Sequence, residues 1–303
     1  MRDLFIVIGL TMTIGCMPSS PESSSKVIYG EDNRIDMSSQ DGGDELTEEQ
    51  TQNLEATVAL IRKEKLKGSD DGITELVSTV SLGAAEKLCE EEPFYSEPVA
   101  AACSGFLVGA DKIVTAAHCV NTKKTCKNFK YVFGWNNNLE NTKKIPSENI
   151  YSCSKLVESK YSYNGGPDWA IIKLDREVVG RTPFTLDIYD VEIGKEEVSV
   201  IGHPSGIPAK IAPGGLVRSI GDHYFMASTD TYRGNSGGPV VRAGTTNVVG
   251  ILVQGEADYE IDRTRGCRVS KKCKQDACRG ETIIKTSSYI RYLEEIDYLE
   301  ESE

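Results

Sequence analysis

The sequence predicts an all-β fold, a barrel or a sandwich, with helices only towards its two ends. Between residues 98 and 284, short runs rich in β-branched residues recur between turn signals, a spacing typical of antiparallel β proteins. The runs cover residues 104–108, 113–116, 131–133, 170–174, 197–201, 238–241 and 248–253. Hydrophobic residues make up 39% of the 303 residues and 28 glycines add to them, so the chain can build a sizeable core.

The elements outside this region are predicted from local patterns. Residues 27–29 are strand-like, and residues 46–66 carry apolar side chains at helical spacing among charges, which predicts one amphipathic helix. The apolar side chains of that helix are Leu54, Val58 and Ile61. Ser287 or Ser288 can cap a last helix that runs through Leu299.

The net charge of −12 is concentrated near the ends of the chain. Residues 31–55 hold nine acidic side chains against Arg34, and residues 294–303 hold six with no basic one, so the rest is close to neutral. This pattern lacks the basic patch of a nucleic-acid-binding surface and is typical of solvated surface charge. No apolar stretch reaches the roughly 20 residues that cross a bilayer, which excludes an integral membrane protein.

The first residues predict export. A basic residue and a short apolar run, residues 4–10, have the form of a secretory signal, and Gly15-Cys16 closes the run before a Ser/Pro-rich stretch. This end resembles the lipobox of bacterial lipoproteins, with the lipid on Cys16; a plain signal peptide cut nearby is the alternative. We expect residues 1–16 to be the signal segment and residues 17–26 a linker or short pro-segment.

Nine cysteines leave eight once Cys16 is set aside, and an even number in an exported chain predicts disulfides. The late group Cys267, Cys273 and Cys278 lacks the tight spacing and the nearby histidine of a metal site. Cys103 and Cys119 lie sixteen residues apart, the right length for a hairpin clasped by a disulfide. The second expected pair is Cys126 with Cys153.

A serine in a glycine-rich turn, Gly234-Asn235-Ser236-Gly237-Gly238-Pro239, offers backbone N–H groups beside its hydroxyl, as an oxyanion hole requires. The turn also fits the G-x-S-x-G pattern of α/β-hydrolases, but these need a histidine after the serine and the chain has none there. The order His, Asp, Ser remains. His118 ends a strand, and Asp168 opens another; Asp175, beside Arg176, is a rival acid with the character of a surface turn.

Three motifs in this order resemble the chymotrypsin-fold serine proteases: Cys-Ser-Gly-Phe-Leu-Val-Gly before Thr-Ala-Ala-His-Cys, then Asp-Trp-Ala, then Gly-Asn-Ser-Gly-Gly-Pro. Within that fold the chain is most similar to bacterial trypsin-like proteases related to the glutamyl endopeptidases, which carry Asn before the serine. The resemblance implies two six-stranded antiparallel β-barrels. We expect the first, with an acidic and helical N-terminal extension, in residues 27–186, the second in residues 187–286, and a C-terminal helix and acidic tail in residues 287–303.

The resemblance also implies the roles of site residues. His118 is the general base, Asp168 orients it and Ser236 is the nucleophile, with the N–H groups of Gly234 and Ser236 as oxyanion hole. His203 and His223 are expected to be structural. No metal and no cofactor are expected.

The specificity pocket implied by the resemblance consists of four residues: Asp230, Thr231, Leu252 and Gly255. Leu252 stands where glutamyl endopeptidases place a histidine, so the group that would recognise a substrate carboxylate is missing. Asp230 occupies the position whose acid selects Lys and Arg in trypsin-like enzymes. Basic side chains are therefore the first expectation, ahead of neutral apolar ones; in the alternative, Asp230 points away and caps a turn.

The sequence thus predicts an exported serine endopeptidase, a monomer that acts on protein or peptide substrates and binds no nucleic acid. It is secreted or anchored as a bacterial lipoprotein, and a cut between Lys26 and Val27 would release it from Cys16. Asn235 would hydrogen-bond the new amine. The alternatives are a catalytically silent binding module of the same fold, or an esterase that uses the same triad.

Overall fold

The computed structural model describes residues 27–35, 46–68, 71–137, 141–162, 166–274 and 276–301. The predicted signal segment, Cys16, the linker and Lys26 lie outside these residues. The strands before residue 175 are β1 (Ile28–Tyr29), β2 (Thr57–Arg62), β3 (Leu66–Gly68), β4 (Ile73–Leu76), β5 (Ala101–Leu107), β6 (Lys112–Thr115), β7 (Phe129–Phe133), β8 (Lys144–Pro146), β9 (Ile150–Tyr161) and β10 (Asp168–Leu174).

The later strands are β11 (Thr185–Leu186), β12 (Glu197–Gly202), β13 (Lys210–Ile220), β14 (Tyr224–Ser228), β15 (Pro239–Arg242), β16 (Asn247–Gln254), β17 (Tyr259–Asp262), β18 (Cys267–Ser270), β19 (Lys272–Cys273) and β20 (Glu281–Lys285). The α-helices are α1 (Glu48–Ala56), α2 (Leu82–Glu86), α3 (Lys123–Asn128) and α4 (Ile290–Glu301). Short 3-10 turns cover Lys63–Lys65, Ser147–Asn149, Pro204–Gly206 and Thr286–Ser288.

Two six-stranded antiparallel barrels form the body of the fold. The first closes in the order β10-β6-β5-β2-β7-β9. The second has the order β16-β15-β12-β13-β14-β20 and is closed by pairing between β16 and β20, with β11 added in parallel beside β16. Because every strand of a closed barrel has two neighbours, neither barrel leaves an open sheet edge. The predicted fold class is therefore confirmed.

The predicted helix over residues 46–66 is wrong in its second half. Thr47 caps α1 through a reciprocal capping box with Gln50, and the helix ends at Ala56. The next residues form β2, whose side chains alternate between two buried clusters: Val58 and Leu60 join one, Ala59 and Ile61 the other. A strand buried on both faces reads as a continuous apolar run, which is why a helical spacing could be fitted to it.

The C-terminal helix α4 follows the second barrel in sequence but packs on a residue of the first. Trp169 of β10 is fully buried, and its ring lies 4.9 Å from that of Tyr292 and 6.2 Å from that of Tyr289. These aromatic contacts join the end of the chain to the strand that begins with Asp168. No helix among the described residues combines the length and apolar character that a bilayer span needs.

Four disulfides link the described part of the chain, as is typical of proteins in oxidising compartments. Cys103 pairs with Cys119 and Cys126 with Cys153, which are the two pairs expected from the sequence. The other two pairs are Cys89 with Cys267 and Cys273 with Cys278.

We expect the Cys103→Ser/Cys119→Ser variant to lose about 3 kcal/mol of unfolding free energy, because the bond closes a loop of 16 residues in the unfolded chain. The matched variant Cys273→Ser/Cys278→Ser opens a loop of only 5 residues and should lose less, about 2 kcal/mol. Urea unfolding of both variants measures the difference. A larger loss from the second pair would contradict the loop-length argument.

Candidate active site

His118 and Asp168 come from neighbouring strands of the first barrel. β6 ends at Thr115, three residues before His118, and β10 begins with Asp168; the two strands pair at Ala170 and Thr115. The Nδ1 atom of His118 lies 2.7 Å from Oδ2 of Asp168, and the backbone N–H of His118 donates to Oδ1 at 2.9 Å. Since a carboxylate only accepts, Nδ1 carries its hydrogen and Nε2 is left as the basic nitrogen.

The environment of this pair suits proton transfer at a surface. The Asp168 side chain is 12% exposed and that of His118 is 28% exposed. The Asp168 carboxylate is thus held by two hydrogen bonds in a largely buried position, while the His118 imidazole reaches solvent. Asp168 thus holds the ring of His118 through Nδ1 and its backbone through the N–H, which restricts the orientation of the ring.

Ser236 comes from the second barrel and packs against the loop that carries His118. Its turn leads into β15, and Ser236 as a whole is only 4% exposed. The carbonyl oxygen of Ser236 accepts the N–H of Ser104 at 2.8 Å and lies 3.8 Å from the Cys119 sulfur. The structure therefore brings Ser236 into contact with the residue that follows His118 in the chain.

Glycine is required at two positions of this turn. Gly237 has a φ of 87°, and a Cβ there would lie 2.2 Å from the carbonyl oxygen of Ser104. Gly234 has a φ of 91°, and a Cβ there would lie 2.4 Å from the carbonyl oxygen of His203. Both contacts are with backbone, which cannot move aside cheaply, so the glycines let the turn lie flat against both barrels.

The peptide between Arg233 and Gly234 is fixed on one side. The carbonyl oxygen of Arg233 accepts the N–H of Ser205 at 2.6 Å, and that of Gly234 accepts the hydroxyl of Ser104 at 2.8 Å. In a trans peptide the N–H points opposite to the carbonyl, so the Gly234 N–H is directed away from Ser205. Within the described residues this N–H has no acceptor, as an oxyanion-hole donor requires.

The sequence did not single out Ser104 and Ser205 as contributors to this geometry. Ser205 adopts a left-handed conformation with a φ of 50°, and its hydroxyl bonds that of Tyr259 at 2.8 Å. Both serines act through contacts more than 25 residues distant in sequence, so no local pattern signals them. A buried loop with a non-glycine residue at positive φ is often a sign of functional constraint.

Asp230 is 3% exposed and binds the N-terminal segment. Its Oδ1 accepts the N–H of Tyr29 at 2.7 Å, and its Oδ2 accepts that of Asn33 at 3.4 Å. Burial raises the pKa of this carboxyl to about 6, against the lowering effect of the two backbone N–H groups. Its predicted part in substrate selection stays a prediction.

The other predicted pocket residues lie close to a residue that the sequence analysis missed. Thr231 and Leu252 are fully buried, and Gly255 follows β16 directly. The hydroxyl of Thr231 donates to Oε2 of Glu281 at 2.8 Å. Glu281 comes 50 residues after Thr231 in the sequence, and the pairing of β14 with β20, in which Glu281 lies opposite Ala227, brings it here.

The N-terminal segment is bound next to these residues. The carbonyl oxygen of Val27 accepts the N–H of Thr231 at 3.3 Å, and Val27 is fully buried. Asn235 is 3% exposed, and its Oδ1 has no hydrogen-bond partner among the described residues. The predicted bond between Asn235 and a new Val27 amine stays a prediction.

The remaining histidines and the rival acid lie elsewhere. His203 is 1% exposed, stacks on Trp135 and bonds the carbonyl oxygen of Ile207 through Nδ1 at 3.1 Å. His223 is exposed on the second barrel. Asp175 accepts the N–H of Ser152 and pairs with Arg176, which is the surface turn expected from the sequence.

One group of potential metal ligands is found in the described residues, formed by Cys103, His118 and Cys119. The two sulfurs are joined in a disulfide, so neither is a thiolate that could bind an ion.

Residues 103–251 match the family model of the trypsin-like peptidase domain. No curated protein matches the chain. Among solved structures, that of the scabies mite inactivated protease paralogue S-I1 is similar over 85% of this chain and 99% of that chain, with 18% sequence identity and a TM-score of 0.51. The finer resemblance to glutamyl endopeptidases stays a prediction. The chain therefore has a chymotrypsin-like fold, and its residues 103–251 match a trypsin-like peptidase domain.

Proposed function

We propose that the chain is an exported serine endopeptidase that cleaves protein or peptide substrates through His118, Asp168 and Ser236. The observation that carries this proposal is the double contact of Asp168 with His118, beside a serine turn that packs against the same loop. The match to a trypsin-like peptidase domain supports protein or peptide substrates. In an acyl-transfer site of this kind, a carboxylate orients a histidine, and the histidine serves as base for a serine that comes from a different part of the chain.

In the first half of the reaction, Ser236 Oγ attacks the scissile carbonyl carbon and Nε2 of His118 takes the hydroxyl proton. Asp168 stabilises the imidazolium through Nδ1–H without taking a proton itself. The carbonyl oxygen becomes an oxyanion, which the N–H groups of Gly234 and Ser236 hold. When the C–N bond breaks, His118 gives its proton to the leaving amine and an acyl-enzyme remains.

In the second half, water attacks the acyl carbon. His118 removes a proton from this water and returns it to Ser236 Oγ as the ester bond breaks, so the enzyme is regenerated. In both halves the Gly234 N–H can donate to the oxyanion without rearrangement, since the carbonyl oxygens on either side of it, those of Arg233 and Gly234, are already bound by Ser205 and Ser104. The site is preorganised for negative charge on oxygen.

Export is supported by the disulfides, which form in oxidising compartments. In this proposal the mature enzyme begins at Val27 after cleavage behind Lys26, or remains attached through a lipid on Cys16. N-terminal sequencing of active material distinguishes the two forms. A first residue at Cys16 in fully active protein would remove the cleavage step from the proposal.

A fluorophosphonate label tests the proposed function directly. We expect the wild type to react once per chain at Ser236, and the Ser236→Ala variant not to react, because only an activated serine is nucleophilic enough. Ser287→Ala, which changes an exposed serine, should label like the wild type. Folded wild-type protein that takes no label would reject the enzyme and favour the catalytically silent binding module.

A comparison of substrates separates peptidase from esterase. The wild type should hydrolyse a peptide amide and the matched ester at Ser236, with both activities lost in Ser236→Ala. Turnover of the ester without any turnover of peptides would favour the esterase.

A further inference from the structure

Glu281 is a charged residue with no exposed surface, placed at the start of β20. A buried carboxylate costs several kcal/mol in lost hydration unless its surroundings stabilise it, so its position calls for a physical reason. It takes no part in the proposed catalytic steps.

The carboxylate of Glu281 lies between the two segments to which the sequence analysis assigns the specificity pocket. On one side, Oε2 accepts the hydroxyl of Thr231 at 2.8 Å. On the other, it lies over Gly255: a Cβ on Gly255 would be 1.8 Å from Oε2 and 2.4 Å from Oε1. Oε1 also accepts the N–H of Glu256 at 3.4 Å. The carboxylate of Glu281 thus fills the space that a side chain at position 255 would occupy.

Asp230 is placed differently. Both of its oxygens are bound by backbone N–H groups of the N-terminal segment, those of Tyr29 and Asn33. This carboxylate holds the segment against the second barrel. The acid that touches both Thr231 and Gly255 is Glu281.

We propose that Glu281, rather than Asp230, determines specificity by attracting the cationic side chain of a Lys or Arg residue on the acyl side of the scissile bond. This inference rests on the proposed function. A carboxylate held away from water attracts a cation strongly and repels an acidic side chain. The Thr231 hydroxyl, which donates its hydrogen to Glu281, still has lone pairs to accept a bond from the same cation.

Equilibrium binding tests the proposal without any need for turnover. The probes are benzamidine, an aromatic cation, and benzamide, its neutral counterpart of nearly equal shape, titrated calorimetrically into Ser236→Ala protein. We expect benzamidine to bind at least about tenfold more tightly than benzamide. Equal affinities would overturn the proposal; this would be the outcome if Arg279, whose guanidinium donates to the Gly255 carbonyl oxygen, neutralised the carboxylate.

Two matched variants assign the effect to one acid. Glu281→Gln keeps the shape and the acceptor for Thr231, and should abolish the preference for benzamidine. Asp230→Asn should keep the preference, whatever its effect on stability, since a ratio measured within one variant does not depend on the folded fraction. A preference that survives Glu281→Gln, or that disappears only in Asp230→Asn, would overturn the proposal.

Failure of the proposed function gives a different result. If wild-type Ser236 takes no fluorophosphonate label while benzamidine still binds through Glu281, the peptidase is wrong and the cation site stands. If Ser236 is labelled and peptides are cut equally well after Lys and after Gln, the peptidase stands and the assignment of Glu281 is wrong.

Discussion

Replacing Asp168 by Asn should lower kcat for peptide hydrolysis by about 10⁴-fold with little change in fold. The carboxylate now accepts from both Nδ1 and the backbone N–H of His118. An amide in its place presents a donor to the ring, which favours the tautomer with hydrogen on Nε2. That nitrogen can then no longer take the proton of Ser236.

The matched control is Asp175→Asn. Like Asp168, Asp175 lies between His118 and Ser236 in the sequence, but it binds Ser152 and Arg176 in an exposed turn. We expect its kcat to equal that of the wild type. Steady-state kinetics across pH measures both variants, and a loss of activity in Asp175→Asn alone would transfer the role of the orienting acid to that residue.

The second large effect concerns acid stability and arises from His203. Burial, with a smaller contribution from the nearby Lys210, lowers the pKa of His203 from 6.5 to about 3, against the raising effect of the hydrogen bond to the Ile207 carbonyl. Its Nε2 has no hydrogen-bond partner among the described residues. Below pH 6.5 the unfolded chain takes up a proton that the folded protein does not, so the folded state loses stability as the pH falls towards 3, by up to about 5 kcal/mol in total.

His203→Phe tests this effect because it keeps a ring on Trp135 and cannot take a proton. The variant should be about 1 kcal/mol less stable at pH 7, since the Ile207 carbonyl loses its donor, but should lose less stability between pH 6.5 and 4 than the wild type. His223→Gln, at an exposed histidine, should keep the wild-type slope. Urea unfolding in a Ser236→Ala background measures all three, and equal slopes for wild type and His203→Phe would contradict the prediction.

The features that could be predicted from the sequence are those written in short motifs. The barrel strands around His118, Asp168 and Ser236 have clear β-branched runs, and Gly234 and Gly237 are needed for a turn whose conformation other residues cannot adopt. The clasp of Cys103 and Cys119 follows from hairpin length alone.

Other features depend on pairings between distant segments. Val58 and Ile61 have the spacing of a helix face, yet β2 pairs with β5 and β7, and tertiary pairing prevailed over the local pattern. Glu281 stands beside Thr231 because β20 pairs with β14, the strand that leads to Thr231. Asp230 had a predicted role by position, but the segment that binds it lies about 200 residues earlier in the chain. These contacts join residues too far apart in the sequence for any local pattern to predict them.

The disulfide between Cys89 and Cys267 keeps the molecule in one piece after a proteolytic cut between the barrels. It joins two positions 178 residues apart, one before the first barrel's β5 and one in β18, after the serine turn. The connection between the barrels, residues 175–196, exposes large apolar side chains such as Val179 and Tyr189. A nick in this connection would leave two fragments that remain one covalent molecule, with His118 and Ser236 still held together; only reduction of the disulfide would let them separate.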